Sequence, residues 1–190
     1  MAIVRDGNRS VLMVVDVQAG VVRGAWEAER VVGNVARAVE KARTQGVPVI
    51  WVQHSDEDLP HGSPEWQWAA GLDPRADEVL IEKHFNSAFE ETPLEATLAR
   101  LGATEIVLAG CATNWCIRAS AYAALERGYD LTLVRDAHTT KTMTLDDGTR
   151  IEAARLIDDL NIAMRYLGYP GRTNAAVAVG DLKFSGSTEA

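Results

Sequence analysis

"TEIVLAGCATNWCIRASAYAALERGYDLTLVRD", residues 104–136, decides the fold. It opens on a short apolar run, 104–110, that reads as a buried strand. Residues 114–128 then carry a helical pattern closed by Gly128, and 129–136 is a second apolar strand. Strand, helix, strand in this order means two parallel strands joined by a right-handed crossover. The same stretch holds the only two cysteines of the chain, Cys111 and Cys116, on either side of the strand-to-helix corner.

The pattern repeats outward from there. "VLMVVD" (11–16), "VPVIWVQ" (47–53) and "DEVLIEK" (77–83) are strands on the N-terminal side, and "AAVAV" (175–179) is one on the C-terminal side. Between them, Val31, Val35, Ala38, Val39 and Ala42 give the segment 28–45 a helical apolar stripe, stopped by Gly46. Residues 93–102 form a helix with proline at its start and glycine past its end, and 148–168 a longer one. The strands are near-continuous apolar runs, as expected when helices cover both faces of a parallel sheet. The expectation is a three-layer α/β/α sandwich in one domain spanning 1–190, with the last residues, "SGSTEA", as a frayed tail. The longest irregular stretch, 54–77, is the expected functional or mobile loop.

Bulk properties exclude several classes. A net charge of −8 without a basic cluster argues against nucleic acid and anionic membranes as partners. No apolar run approaches the ~20 residues of a spanning helix. The N-terminus lacks the basic and apolar regions of a signal peptide, and a chain of 190 residues needs no disulfide framework, so the expected location is cytoplasmic. No glycine-rich phosphate loop follows any strand, which removes the usual warrant for a nucleotide- or phosphate-binding module.

In open parallel sheets, ligands bind beyond the carboxyl ends of the strands. Asp16 and Gln18 leave the first strand, Gln53 and His54 the second, Lys83 the third, Cys111 to Cys116 the fourth, and Asp136 to Thr140 the fifth. An acid, a lysine and a cysteine therefore converge on one edge, the set that nucleophilic catalysis requires. Cys116 alone is as readily a buried structural thiol, Asp16 a turn cap and Lys83 a surface cation. A signalling receiver domain also ends its first strand in acids, but it needs an aspartate where Lys83 follows the third strand. Thr113 or Asn114 is the expected N-cap of the following helix. That puts Cys116 in the first turn, where the helix dipole should lower the thiol pKa.

The segments "VVDVQAG", "VIWVQH", "EKHFNSAFEETPLEATL" and "LAGCATNWCIRASAYAALERGYDLTLVRDAHTT", in this order, resemble the isochorismatase-like hydrolases, the cysteine hydrolase superfamily, over roughly residues 10–180. The resemblance implies a Rossmann-like six-stranded parallel sheet of order 3-2-1-4-5-6. It implies a catalytic triad of Asp16, Lys83 and Cys116, and a cis peptide at Cys111–Ala112. The backbone N–H groups of Ala112 and Cys116 would form the oxyanion hole. In this superfamily true isochorismate vinyl-ether hydrolases do not use a cysteine nucleophile. Cys116 therefore points to hydrolysis of a C–N bond in a small non-peptide amide, ureide, carbamoyl compound or lactam, through a thioester. Vinyl-ether or ester hydrolysis on the same fold is the alternative. The zinc-dependent nicotinamidases of the superfamily carry an Asp-x-His pattern after the second strand. Here Gln53-His54-Ser55-Asp56 stands in its place, with His61 nearby, so the expectation is no metal and no cofactor.

Gln18, His54, Phe85, Phe89 and Trp115 are the residues expected to bind substrate; the plainer alternatives are that Gln18 bonds the adjacent loop and that His54 is a hydrogen-bonded loop or core histidine. Trp66 and Trp68 would pin the long loop, cover the substrate or meet a second subunit. The family and these tryptophans lead to the expectation of a homodimer or homotetramer.

Overall fold

In the computed structural model, which describes residues 2–186, six parallel strands form one sheet in the order β3-β2-β1-β4-β5-β8. They are β1 (Ser10–Val15), β2 (Val49–His54), β3 (Val79–Lys83), β4 (Glu105–Cys111), β5 (Asp130–Thr139) and β8 (Asn174–Val177). The three-layer sandwich and its strand order are as expected. The sixth strand of the sheet is the eighth in the chain because a two-stranded hairpin intervenes, β6 (Met143–Thr144) and β7 (Arg150–Ile151). Too few residues carry this hairpin for a period of two to show in the sequence.

Alternation along β1 explains the layers. Val11, Met13 and Val15 face a core shared with α3 (Leu94–Arg100), α4 (Arg118–Glu126) and α5 (Ala153–Tyr166). Leu12 and Val14 face the opposite core, filled by α2 (Ala28–Thr44) and by Val179, Leu182 and Phe184. All six residues of β1 are buried, because each face of the central strand is covered. A short helix, α1 (Ala19–Val22), follows β1.

Several boundaries differ from the sequence reading. Helix α5 begins at Ala153 rather than near 148, since Gly148 takes a φ of +83° in the hairpin turn. Strand β5 runs on to Thr139, absorbing Asp136, Ala137 and His138 into the sheet after a register shift opposite Leu108 and Gly110. Ser185 is not frayed: it exchanges hydrogen bonds with Ser10. The remainder of the expected tail, 187–190, lies outside the described residues. No described helix is long and apolar enough to cross a membrane.

Candidate active site

The carboxyl ends of β1, β3 and β4 bring the three chemical groups together. Asp16 follows β1 in a left-handed conformation, φ 52°, and is buried. Strand β4 approaches β1 here at Gly110, whose φ is +131° and where a Cβ would lie 2.0 Å from the Val15 carbonyl oxygen. Only glycine permits that approach. Lys83 ends the edge strand β3, where Ile81 and Lys83 point inward while Leu80 and Glu82 point out. The period of two that buries Ile81 therefore carries the lysine into the interior two residues later.

Cys116 sits in a π-helical turn, Thr113–Ile117, that leads into α4. The cap is Ala112, without a side-chain bond, and not Thr113 or Asn114. Those two side chains are spent across the turn: Thr113 Oγ1 lies 2.8 Å from His138 Nδ1, and Thr140 donates to Asn114 Oδ1. The peptide Cys111–Ala112 is cis.

Lys83 Nζ stands 2.7 Å from Asp16 Oδ2, both side chains being at most 2% exposed. It donates to Cys116 Sγ at 3.3 Å and to the Phe85 carbonyl at 3.1 Å, and faces His54 Nδ1 at 3.3 Å. The Asp16 oxygens accept no well-directed hydrogen bond, so the link to Lys83 is a close ion pair with acceptor capacity left over. Burial pushes the Asp16 carboxyl up, against the pull of Lys83. Burial and the neighbouring Asp16 charge push the Cys116 thiol up to about 12. The thiol is thus not acidified as its place at the helix start led us to expect: burial and the adjacent carboxylate push its pKa upward. The high thiol pKa keeps the proton on the sulfur at neutral pH. Cys111 is fully buried at the end of β4, its thiol likewise pushed up to about 12 by burial.

The five expected substrate contacts divide. Trp115 is half exposed and lines a cavity of about 330 Å3 with Val21, Ala25, Cys111, Ala112 and Met143, where Thr139, Thr140 and Lys141 complete the wall. Gln18 is fully buried and committed to the loop: it donates to the His54 and Trp66 carbonyls and accepts from His54 N–H. Phe85 contributes its carbonyl, while its ring is exposed and outside that cavity wall. Phe89 is a core residue, packed against Tyr129 and under Arg127, because the segment after β3 turns back onto α3. His54 bridges Lys83 and Asp56, its Nε2 lying 2.8 Å from Asp56 Oδ2.

Asn86 was missed by the sequence reading; its Oδ1 lies 3.8 Å from Cys116 Sγ. Its place just past the end of β3 was the available signal. The long loop is pinned by its tryptophans: Trp68 packs edge-on against Trp51, and the Trp66 carbonyl accepts from Gln18 and Gln53. His61 pairs with Glu82, away from His54 and Asp56. Among the described residues no three His, Cys, Asp or Glu side chains are placed to hold one metal ion.

Residues 10–157 match the isochorismatase domain model, and the chain belongs to that family. It is 36% identical to streptothricin hydrolase of Streptomyces noursei over 137 residues, 68% of this chain and 54% of that protein. It is 37% identical to maleamate amidohydrolase of Pseudomonas putida over 89 residues, 46% of this chain and 42% of that protein. The chain thus spans about half the length of the curated relatives it matches. The crystal structure of an isochorismatase from Pseudomonas putida superposes with a TM-score of 0.81 at 26% identity, over 93% of this chain and 92% of the other.

Proposed function

We propose that this protein hydrolyses the C–N bond of a small non-peptide amide, with Cys116 as nucleophile, Asp16 as proton carrier and Lys83 as the cation between them. The observation that carries the reading is the buried ammonium 2.7 Å from Asp16 and 3.3 Å from Cys116. The amidohydrolase and streptothricin hydrolase among its relatives support it.

The high thiol pKa shapes the mechanism. Attack and proton transfer occur together: the S–H proton moves to Asp16 as sulfur bonds to the amide carbon, and the carbonyl electrons move to oxygen. Backbone N–H groups of Ala112 and Cys116 receive that oxyanion. The C–N bond then breaks, and Asp16 returns its proton to the departing nitrogen. Water attacks the thioester and gives a proton to Asp16. The C–S bond breaks, the acid leaves, and the proton passes back to sulfur. The raised Asp16 pKa suits a group that must hold a proton in mid-reaction.

The cavity beside Trp115 is mainly apolar, with Lys141 as the one cation in its wall. That lining favours a compact apolar amide carrying a distal anion. An ammonia-release screen of small amides, with and without a carboxylate, tests the function. Release by the wild type and none by a folded Cys116→Ala variant is the expected result. A Cys116→Ala variant that turns over, or cleavage of vinyl ethers alone, overturns it.

A further inference from the structure

The turn that carries Cys116 is held from outside itself. Its cap, Ala112, supplies no side-chain bond, and the Ala112 carbonyl accepts from Trp115 N–H at 3.0 Å and Ile117 N–H at 3.2 Å. The side-chain ties at the start of the turn come from the end of β5. Thr140 donates to Asn114 Oδ1, and Thr113 Oγ1 lies 2.8 Å from His138 Nδ1. Thr113 and His138 are both at most 1% exposed.

The hydrogens along this chain of contacts have one arrangement. Asn161 Nδ2 donates to the Arg135 carbonyl at 3.1 Å, which turns Asn161 Oδ1 toward the imidazole, 3.1 Å from His138 Nε2. An amide oxygen only accepts, so Nε2 carries the hydrogen. The two ring nitrogens meet a hydroxyl and an amide rather than a carboxylate, and burial lowers the imidazole pKa to about 4. Nδ1 of the neutral ring therefore presents a lone pair, and the Thr113 hydroxyl donates to it. The turn is thus tied through β5 to Asn161 on α5.

We propose that His138 is a positioning residue for the reaction: oriented by Asn161, it accepts the Thr113 hydroxyl and holds the Thr113–Ile117 turn so that the Ala112 and Cys116 N–H groups meet the oxyanion. The proposal rests on the reading of Cys116 as the nucleophile and of this turn as the oxyanion site. It gives a buried histidine and helix α5, neither in reach of substrate, a part in the rate.

The test compares two reactions of Cys116 in the full chain at neutral pH. In acylation by p-nitrophenyl acetate, sulfur takes the acetyl group and nitrophenolate leaves as a burst; charge builds on a carbonyl oxygen, so the turn is needed. In alkylation by iodoacetamide, read by peptide mass, sulfur displaces iodide at a saturated carbon, so the sulfur alone is needed. His138→Gln can still reach Asn161 but has no acceptor at the place of Nδ1. Its acylation falls about 10- to 100-fold while alkylation stays within about threefold. His138→Asn puts an oxygen at the place of Nδ1 and stays near the wild-type acylation rate. Thr113→Val loses acylation as His138→Gln does, Thr113→Ser does not, and joining Thr113→Val to His138→Gln adds no further loss. The two Thr113 variants carry the test if a His138 variant does not fold. Equal losses in His138→Asn and His138→Gln, a Thr113→Val variant at the wild-type rate, additive losses, or a parallel fall in alkylation would each overturn the proposal. A nitrophenolate burst that survives in Cys116→Ala refutes the nucleophile and this proposal with it. No burst in Cys116→Ala, together with equal losses in the two His138 variants, refutes only the role of His138.

Discussion

Lys83→Met tests the charge balance of the site. The ammonium lies 2.7 Å from a carboxylate in a place water does not reach. At an effective dielectric of ~20 that separation carries about 6 kcal/mol of Coulomb attraction, much of it offset by desolvation. Removing one partner of a buried pair costs about 3–5 kcal/mol. Methionine is unbranched and only one atom shorter than lysine, so the loss is mainly electrostatic and leaves little cavity. Asp16 limits the damage by taking up a proton. Burial already raises its pKa and Lys83 is the largest opposing influence, so without the lysine the rise is greater. A carboxyl whose folded pKa exceeds its unfolded one binds more protons when folded, and its penalty is relieved as pH falls through the folded value. Urea denaturation of Lys83→Met should therefore show a deficit of about 3 kcal/mol near pH 8 that shrinks toward pH 5. Asp16→Asn added to Lys83→Met should recover at least about half of that deficit, because no buried charge remains unpaired. A variant as stable as the wild type near pH 8, or a deficit that ignores pH, would refute the reasoning.

Gly110→Ala should cost about 3 kcal/mol or more in chemical denaturation and abolish activity, since its Cβ meets the Val15 carbonyl at 2.0 Å, one residue before Asp16. His138 is buried between Thr113 and Asn161, and burial lowers its pKa from 6.5 to about 4. The unfolded chain binds more protons between those values, so stability falls by about 3 kcal/mol as pH drops across that window. His138→Gln should flatten that slope in pH-dependent denaturation. Phe89→Ala should lose about 3 kcal/mol or more of stability and leave the KM of the remaining folded enzyme unchanged. Trp115→Ala should raise KM while stability stays within about 0.5 kcal/mol.

The meeting of Asp16, Lys83 and Cys116 is legible in the sequence because a parallel sheet brings the carboxyl ends of its strands to one edge. Lys83 carried a second signal, standing two residues after Ile81 on the buried face of β3. Phe89 was misread because an aromatic residue near the carboxyl end of a strand looks alike whether it lines a cavity or turns into the core. For Gln18 the loop-bonding alternative holds: a buried amide binds whatever backbone reaches it, and here the carbonyls of His54 and Trp66 do.

By itself, the order of apolar strands and amphipathic helices determined the architecture, the edge where chemistry gathers and the three groups that meet there. Those are consequences of periodicity and chain direction, which are local properties. Tertiary structure alone decided where protons reside. The thiol pKa is pushed up by burial and by Asp16, and Lys83 meets Asp16, Phe85, Cys116 and His54 from separate segments. Burial and charge contacts depend on ångström distances between residues remote in the chain, and no spacing within a single strand or helix encodes them.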